Sequence, residues 1–153
     1  MKVCLGGTFN YLHKGHKCLI QKAIEVAGKN GSVFIGLTTK NLIKNKKGLK
    51  PFDYRKKDIE QYLLAKGYLD FTTIKPINNK YGPTLDEDFD VIIVSPETIG
   101  TAQEINKKRE KKEKRPLKII QIPFALAKDG KPISSTRIAN NEIDEEGNVL
   151  GKD

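Results

Sequence analysis

Short apolar runs alternate with amphipathic stretches from one end of the chain to the other, the pattern of helices crossing over between parallel strands. Residues 2–7 read as a strand and residues 8–14 as the loop that leaves it. Over 15–27, Leu19, Ile20, Ala23, Ile24 and Ala27 recur at helical spacing, and the glycines at 28 and 31 stop that helix. Residues 32–39, rich in Val, Phe and Ile, form the second expected strand, and the basic stretch up to Lys50 reads as a loop or short helix broken at Gly48 and Pro51. The helix predicted over 52–66 turns Ile59, Tyr62, Leu63 and Leu64 to the core and closes at Gly67. A third strand is expected over 71–77, then a turn-rich ordered loop over 78–88. In 89–95 the uninterrupted Val91-Ile92-Ile93-Val94 suits a central strand buried on both faces. A helix over 99–114, a strand over 117–124 and a short helix introduced by 132–136 complete the pattern, with the acidic, Gly-containing tail from 144 expected to fray. Residues 1–153 are thus read as one α/β domain, a five-stranded parallel sheet with helices on both faces.

At 153 residues the chain is long enough to bury a real core. No apolar run approaches the roughly 20 residues of a membrane span, and no secretory leader is visible, so a cytoplasmic location is expected. Cys4 and Cys18 lack Cys-x-x-Cys spacing and read as two reduced, part-buried thiols rather than metal ligands. The net charge of +9 is unevenly spread. Residues 40–57 carry eight Lys or Arg against Asp53 alone, and residues 106–118 carry eight against Glu110 and Glu113, leaving the remainder net acidic. Brought together, the two segments would make one phosphate-attracting rim; apart, 106–114 is an ordinary solvated helix face, and Arg109 either reaches phosphate or is one more solvated charge.

The chemistry concentrates in Gly6-Gly7-Thr8-Phe9-Asn10-Tyr11-Leu12-His13-Lys14-Gly15-His16. Two glycines at the end of a strand let the backbone approach a ligand, and His13 and His16 stand three apart where a helix begins. A polyphosphate there would meet helix N–H groups, a partial positive dipole and two imidazoles. Near the other end, Ile133-Ser134-Ser135-Thr136-Arg137-Ile138 offers a hydroxyl cap for the following helix and further hydroxyls for phosphate.

The first segment resembles the Gly-Thr-Phe-x-x-x-His-x-Gly-His signature of the nucleotidyltransferase superfamily, and residues 133–138 resemble its second signature. Tyr81-Gly82-Pro83-Thr84, Val94-Ser95-Pro96-Glu97-Thr98 and Thr38-Thr39 with Pro51-Phe52-x-x-Arg55 extend the resemblance over essentially the whole chain, to the archaeal-type phosphopantetheine adenylyltransferases. The resemblance implies a Rossmann-like nucleotidyltransferase fold. It also implies transfer of AMP from ATP to 4′-phosphopantetheine, giving dephospho-coenzyme A and pyrophosphate, with Mg²⁺ carried mainly by ATP. On that reading Gly6, Gly7, Thr8, Phe9, Gly15, His16, Ser134, Ser135, Thr136 and Arg137 hold ATP. Thr8, Lys46, Arg55, Tyr81, Gly82, Ser95, Glu97 and Thr98 hold the acceptor, and His16, His13 and Lys46 carry catalysis, with Lys44 and Lys47 alternatives to Lys46. Three positions depart from the family pattern: Asn10 replaces an Asp, Lys40 an acidic residue, and Ala139 an Arg. An amide at position 10 can still pin the loop.

Rival readings are a FAD- or NAD-forming enzyme or cytidylyltransferase of the same fold, a nucleotide sensor without activity, and an RNA-binding module using the basic segments. An aromatic content of 7% without Trp disfavours the RNA-binding module.

Overall fold

Alternation along the two central strands divides the interior. The computed structural model describes residues 1–39 and 48–151, and in it β1 (Lys2–Gly7) sends Val3 and Leu5 to one face and Cys4 to the other. β4 (Val91–Val94) likewise sends Val91 and Ile93 to the first face and Ile92 and Val94 to the second, so its apolar run is buried on both sides. With β2 (Ser32–Thr38), β3 (Thr72–Ile77) and β5 (Lys118–Gln121) they form one parallel sheet of order β3-β2-β1-β4-β5. The chain starts in the middle, moves outward to β3, then returns to lay β4 on the other side of β1. That reversal opens a crevice at the carboxyl ends of β1 and β4.

Helices α1 (Lys14–Ala27) and α2 (Phe52–Lys66) cover the first face, with Ile20, Ala23, Ile24, Ile59 and Leu63 packed on Leu5, Ile35 and Leu37. Each of these Ile and Leu side chains contributes about 1.5–3 kcal/mol on burial. α3 (Ile99–Lys111) covers the second face through Ala102 and Ile105. A third, smaller cluster of Ala127, Ile133, Ile138 and Ile143 packs with Tyr11, and the short α4 (Ser135–Ala139) belongs to it.

Several expectations are corrected. Leu64 is 67% exposed, because α2 turns only its Ile59 and Leu63 stripe fully inward. A single 3-10 turn, Leu69–Phe71, replaces the start of the third strand. α3 ends at Lys111, and the chain reverses through Glu113 at φ 57°, so that the Lys114 N–H reaches the Arg109 carbonyl. β5 stops before Pro123, which has no N–H to extend the ladder. The tail does not fray as far as it is described. The Asp144 carboxylate takes N–H groups of Glu146 and Asn148, Ile143 bridges Val149, and the Glu145 carbonyl accepts from Lys14 at 2.9 Å. Cys4 is buried, its thiol pushed up to about 12 by desolvation, whereas Cys18 is exposed.

Of the first basic segment only residues 48–57 are described, and they do not meet residues 112–115 of the second. Arg115 pairs with Asp90, whose other oxygen accepts the Lys2 N–H, and Lys112 pairs with Asp86. This places residues 112–115 at the start of β1, about 17 Å along the strand from its glycine end. Arg109 is neither a phosphate ligand nor a solvated charge: it is 1% exposed and donates to the carbonyls of Thr84 at 2.7 Å, Glu87 at 3.0 Å and Arg115 at 2.8 Å.

Arg109→Leu should therefore strand three carbonyls and lower the unfolding free energy by about 3 kcal/mol or more. Arg115→Ala, which removes an exposed ion pair, should cost under about 1 kcal/mol. Urea denaturation of the two variants side by side checks the contrast.

Candidate active site

The segment between β1 and α1 turns sharply, with Phe9 and Tyr11 both at φ 49°, a left-handed conformation that costs a non-glycine residue energy. Side chains from distant segments hold it there. Arg55, 1% exposed, donates from Nη1 to the Thr8 carbonyl at 3.0 Å and from Nε to the Lys50 carbonyl at 2.9 Å. Ser135 donates its hydroxyl to the Asn10 carbonyl. The buried Asn10 amide donates to the Gly48 carbonyl and accepts from the Lys50 N–H, both at 3.0 Å. Asn10 thus does pin the loop, using a donor that a carboxylate would lack.

α1 then begins with reciprocal capping. His13 Nδ1 accepts from the N–H groups of Gly15 at 3.0 Å and His16 at 3.3 Å, while His16 Nδ1 accepts from the His13 N–H at 3.2 Å. The rings stack with centroids 3.6 Å apart. Both Nδ1 atoms act as acceptors, so the ring proton of each neutral imidazole sits on Nε2. The expectation of helix N–H groups presented to an anion is corrected here. Lys14, Gly15 and His16 spend theirs on Glu145 and His13.

Two cavities flank this segment. The first, about 250 Å³, is lined by His13, Gly15 and His16, by Phe9, by Ser134, Ser135 and Thr136, and by Ser95, Glu97 and Thr98. Ser134 also accepts the Arg137 N–H and so caps α4. The second, about 290 Å³, lies against the α3 side and is lined by Thr38, Ile77, Lys80, Ile93, Val94 and Thr101, among others. Gly6, Gly7, Thr8 and Thr98 line both. Thr38 donates its hydroxyl to that of Thr8 at 3.2 Å across the boundary.

The structure therefore brings together most of the predicted residues, but not all. Arg137 is turned away into Asp129 and Glu142 and onto the Pro132 carbonyl. Arg55 lines neither cavity; burial lowers its affinity for a proton, and its guanidinium braces the loop from behind. Tyr81 points its hydroxyl at Glu104 Oε1, 2.5 Å away, and Gly82 packs on Ile77, so neither lines these cavities. Ser95 and Glu97 lie in the first cavity with the predicted nucleotide residues rather than in the second. Lys44, Lys46 and Lys47 lie outside the described residues. Sequence reasoning missed Thr38 as a partner of Thr8, and Lys80; the one available signal for Lys80 was its place in the loop beyond a strand's carboxyl end.

This sheet order, with clefts at the switch point, defines a doubly wound α/β protein, and residues 4–141 match the family model described as cytidylyltransferase-like. A Methanosarcina mazei protein named phosphopantetheine adenylyltransferase is 45% identical over 97% of this chain and 96% of its own length. An Archaeoglobus fulgidus protein of that name is 43% identical over 98% and 100%. The crystal structure of an Archaeoglobus fulgidus protein of unknown function superposes with a TM-score of 0.72 at 41% identity, covering 80% of this chain and 89% of that one. The chain belongs to the phosphopantetheine adenylyltransferase family, an enzyme family of coenzyme A biosynthesis.

A Cβ at Gly15 would lie 2.9 Å from His13 Cε1 and 3.1 Å from Nδ1, so any side chain there displaces the ring. Gly15→Ala should leave the melting temperature close to that of the parent, since Ala gains about 1 kcal/mol of helix propensity. Turnover should fall by up to about 10²-fold through the misplaced imidazole. Calorimetry and steady-state kinetics on one preparation test both halves.

Proposed function

We propose that the first cavity holds ATP, the second holds 4′-phosphopantetheine, and the two react where the cavities meet, at Gly6, Gly7 and Thr8. The observation that carries this reading is the shared lining: Gly6, Gly7, Thr8 and Thr98 border both clefts, and the two glycines leave room for two substrates to approach one another there. An acceptor phosphate oxygen forms a bond to the α-phosphorus of ATP while the bond from that phosphorus to the oxygen bridging to the β-phosphate breaks. The products are dephospho-coenzyme A and pyrophosphate. The nucleophile is already an anion at neutral pH, so no strong general base is required. Positioning and charge stabilisation suffice.

In this reading the Nε2–H groups of His16 and His13 donate to the β- and γ-phosphates, whose charge grows as pyrophosphate leaves. Gly6, Gly7, Phe9 and Gly15 give the phosphates backbone-close room, and Ser134, Ser135 and Thr136 supply hydroxyl-bearing walls. Thr8, steadied by Thr38, contacts the phosphates at the junction. Ser95 and Thr98 are linked by the Ser95 N–H donating to the Thr98 hydroxyl at 3.1 Å, and Thr98 reaches both substrates. Mg²⁺ bound to the nucleotide would supply neutralisation of the triphosphate charge, with no protein carboxylates needed to hold it. Lys46, with Lys44 and Lys47 as alternatives, bridges acceptor and α-phosphate. Among the described residues no helix is long and apolar enough to cross a membrane, and both substrates are water-soluble anions.

The direct test follows pyrophosphate release from ATP, Mg²⁺ and 4′-phosphopantetheine, with mass detection of dephospho-coenzyme A. FMN and nicotinamide mononucleotide serve as rival acceptors, and turnover only with one of these would overturn the assignment. Within the same assay His16→Ala should lower turnover by about 10²–10³-fold, as expected for a donor that meets developing charge. Its folding cost should be only about 1 kcal/mol, for the lost bond to the His13 N–H at the cap. A variant that melts early yet keeps near-normal turnover in the cold would make His16 structural.

A further inference from the structure

The second cavity has one ionisable side chain in its described lining, Lys80, on the loop that follows β3. Hydroxyls of Thr8, Thr38, Thr98 and Thr101 and the apolar Ile77 and Ile93 supply most of the rest. A phosphate-bearing acceptor entering this space brings close to two negative charges, which hydroxyls alone compensate poorly. The nearby guanidinium of Arg55 is committed to the carbonyls of Thr8 and Lys50, on the far side of the loop. Among the described residues, Lys80 is the cation placed to meet that charge.

Its present partner makes it movable. Lys80 Nζ lies 2.9 Å from Glu104 Oε2, and the side chain is 52% exposed. The other carboxylate oxygen of Glu104 receives the Tyr81 hydroxyl at 2.5 Å. The Lys80 and Lys108 ammonium groups flank the Tyr81 ring at 5.4 and 5.3 Å from its centre. Glu104 is thus fixed by a neighbour and shared, while its exposed ion pair with Lys80 is worth little and exchanges at small cost. A phosphate offers more charge and several acceptor oxygens to the same ammonium.

We propose that Lys80 reads the anionic head of the acceptor: its ammonium rests on Glu104 in the free protein and transfers to the acceptor's phosphate on binding, with Glu104 and Tyr81 keeping it at the cavity wall until then. This inference rests on the assignment of the second cavity to the acceptor. Lys80 is a specificity residue, set apart from the histidines that act on the leaving pyrophosphate.

The test uses the full chain with Lys80→Met, Lys80→Arg and Glu104→Gln, read by steady-state kinetics and by calorimetric binding of 4′-phosphopantetheine and of pantetheine, which lacks the phosphate. Lys80→Met should raise the KM for 4′-phosphopantetheine about tenfold or more, the size of one lost charged hydrogen bond. The KM for ATP and kcat should stay within about twofold, and most of the loss should return in Lys80→Arg. Binding of 4′-phosphopantetheine should weaken while that of pantetheine does not, and Glu104→Gln, by removing the competing carboxylate, should tighten acceptor binding. An unchanged acceptor KM in Lys80→Met would overturn the proposal, as would equal weakening for both ligands or weaker acceptor binding in Glu104→Gln. Failure of the parent protein to turn over 4′-phosphopantetheine at all is a different result: it removes the acceptor assignment, and this inference with it.

Discussion

The segment from Thr8 to His13 must bury its backbone beside a ligand cleft without forming either helix or sheet, and its neighbours depend on how that is achieved. A buried carbonyl left without a partner costs about 1–3 kcal/mol. Here the Thr8 carbonyl is met by Arg55 from α2 and the Asn10 carbonyl by Ser135 from α4, while the Asn10 amide holds Gly48 and Lys50. One loop thereby fixes where α2 begins, where the basic segment ends and where the carboxy-terminal cluster docks. The two left-handed residues, Phe9 and Tyr11, are tolerated because these bonds over-determine the turn.

The same economy governs the histidines. Capping α1 and binding an anion compete for the same N–H groups, and the structure resolves the competition in favour of capping. Each imidazole uses Nδ1 as an acceptor for the helix, which leaves the ring proton on Nε2, so the fold sets the tautomer. Ring stacking at 3.6 Å couples the two orientations, which makes the pair a unit rather than two independent donors.

What was legible in the sequence is what is periodic or local. β1 and α2 fall where alternation and helical spacing put them, and Ser134 caps its helix as its position implies. Illegible were side chains whose partners are far away and leave no pattern. Arg55 reads as an acceptor ligand and Arg109 as a phosphate ligand or surface charge, yet each is buried against backbone carbonyls of segments that only the fold brings near. Tyr81 and Arg137 carry residue types suited to a site, but carboxylates on neighbouring elements draw them elsewhere, Glu104 in one case and Asp129 in the other. The tail reads as disordered by composition, but Ile143 finds an apolar cluster and the Glu145 carbonyl finds the first N–H of α1. Lys80 carried no motif at all and became visible only as part of a wall.

Charge shows the same limit from the other side. At the end of α3, Lys112 and Arg115 answer Asp86 and Asp90 at the start of the strands, while Lys108 stands beside Tyr81. A net charge of +9 therefore says less about phosphate than its formal size suggests. Attraction at the site depends on a few groups at the other end of the sheet, and their effect is local because exposed charges are screened over about 10 Å. That locality is why the junction at Gly6, Gly7 and Thr8 matters more than the overall field. Where β1 and β4 part, two clefts meet at Gly6 and Gly7, so two anionic groups placed there would need compensation from each side, which the proposed roles assign to imidazoles in the first cleft and to a cation on the loop after β3 in the second.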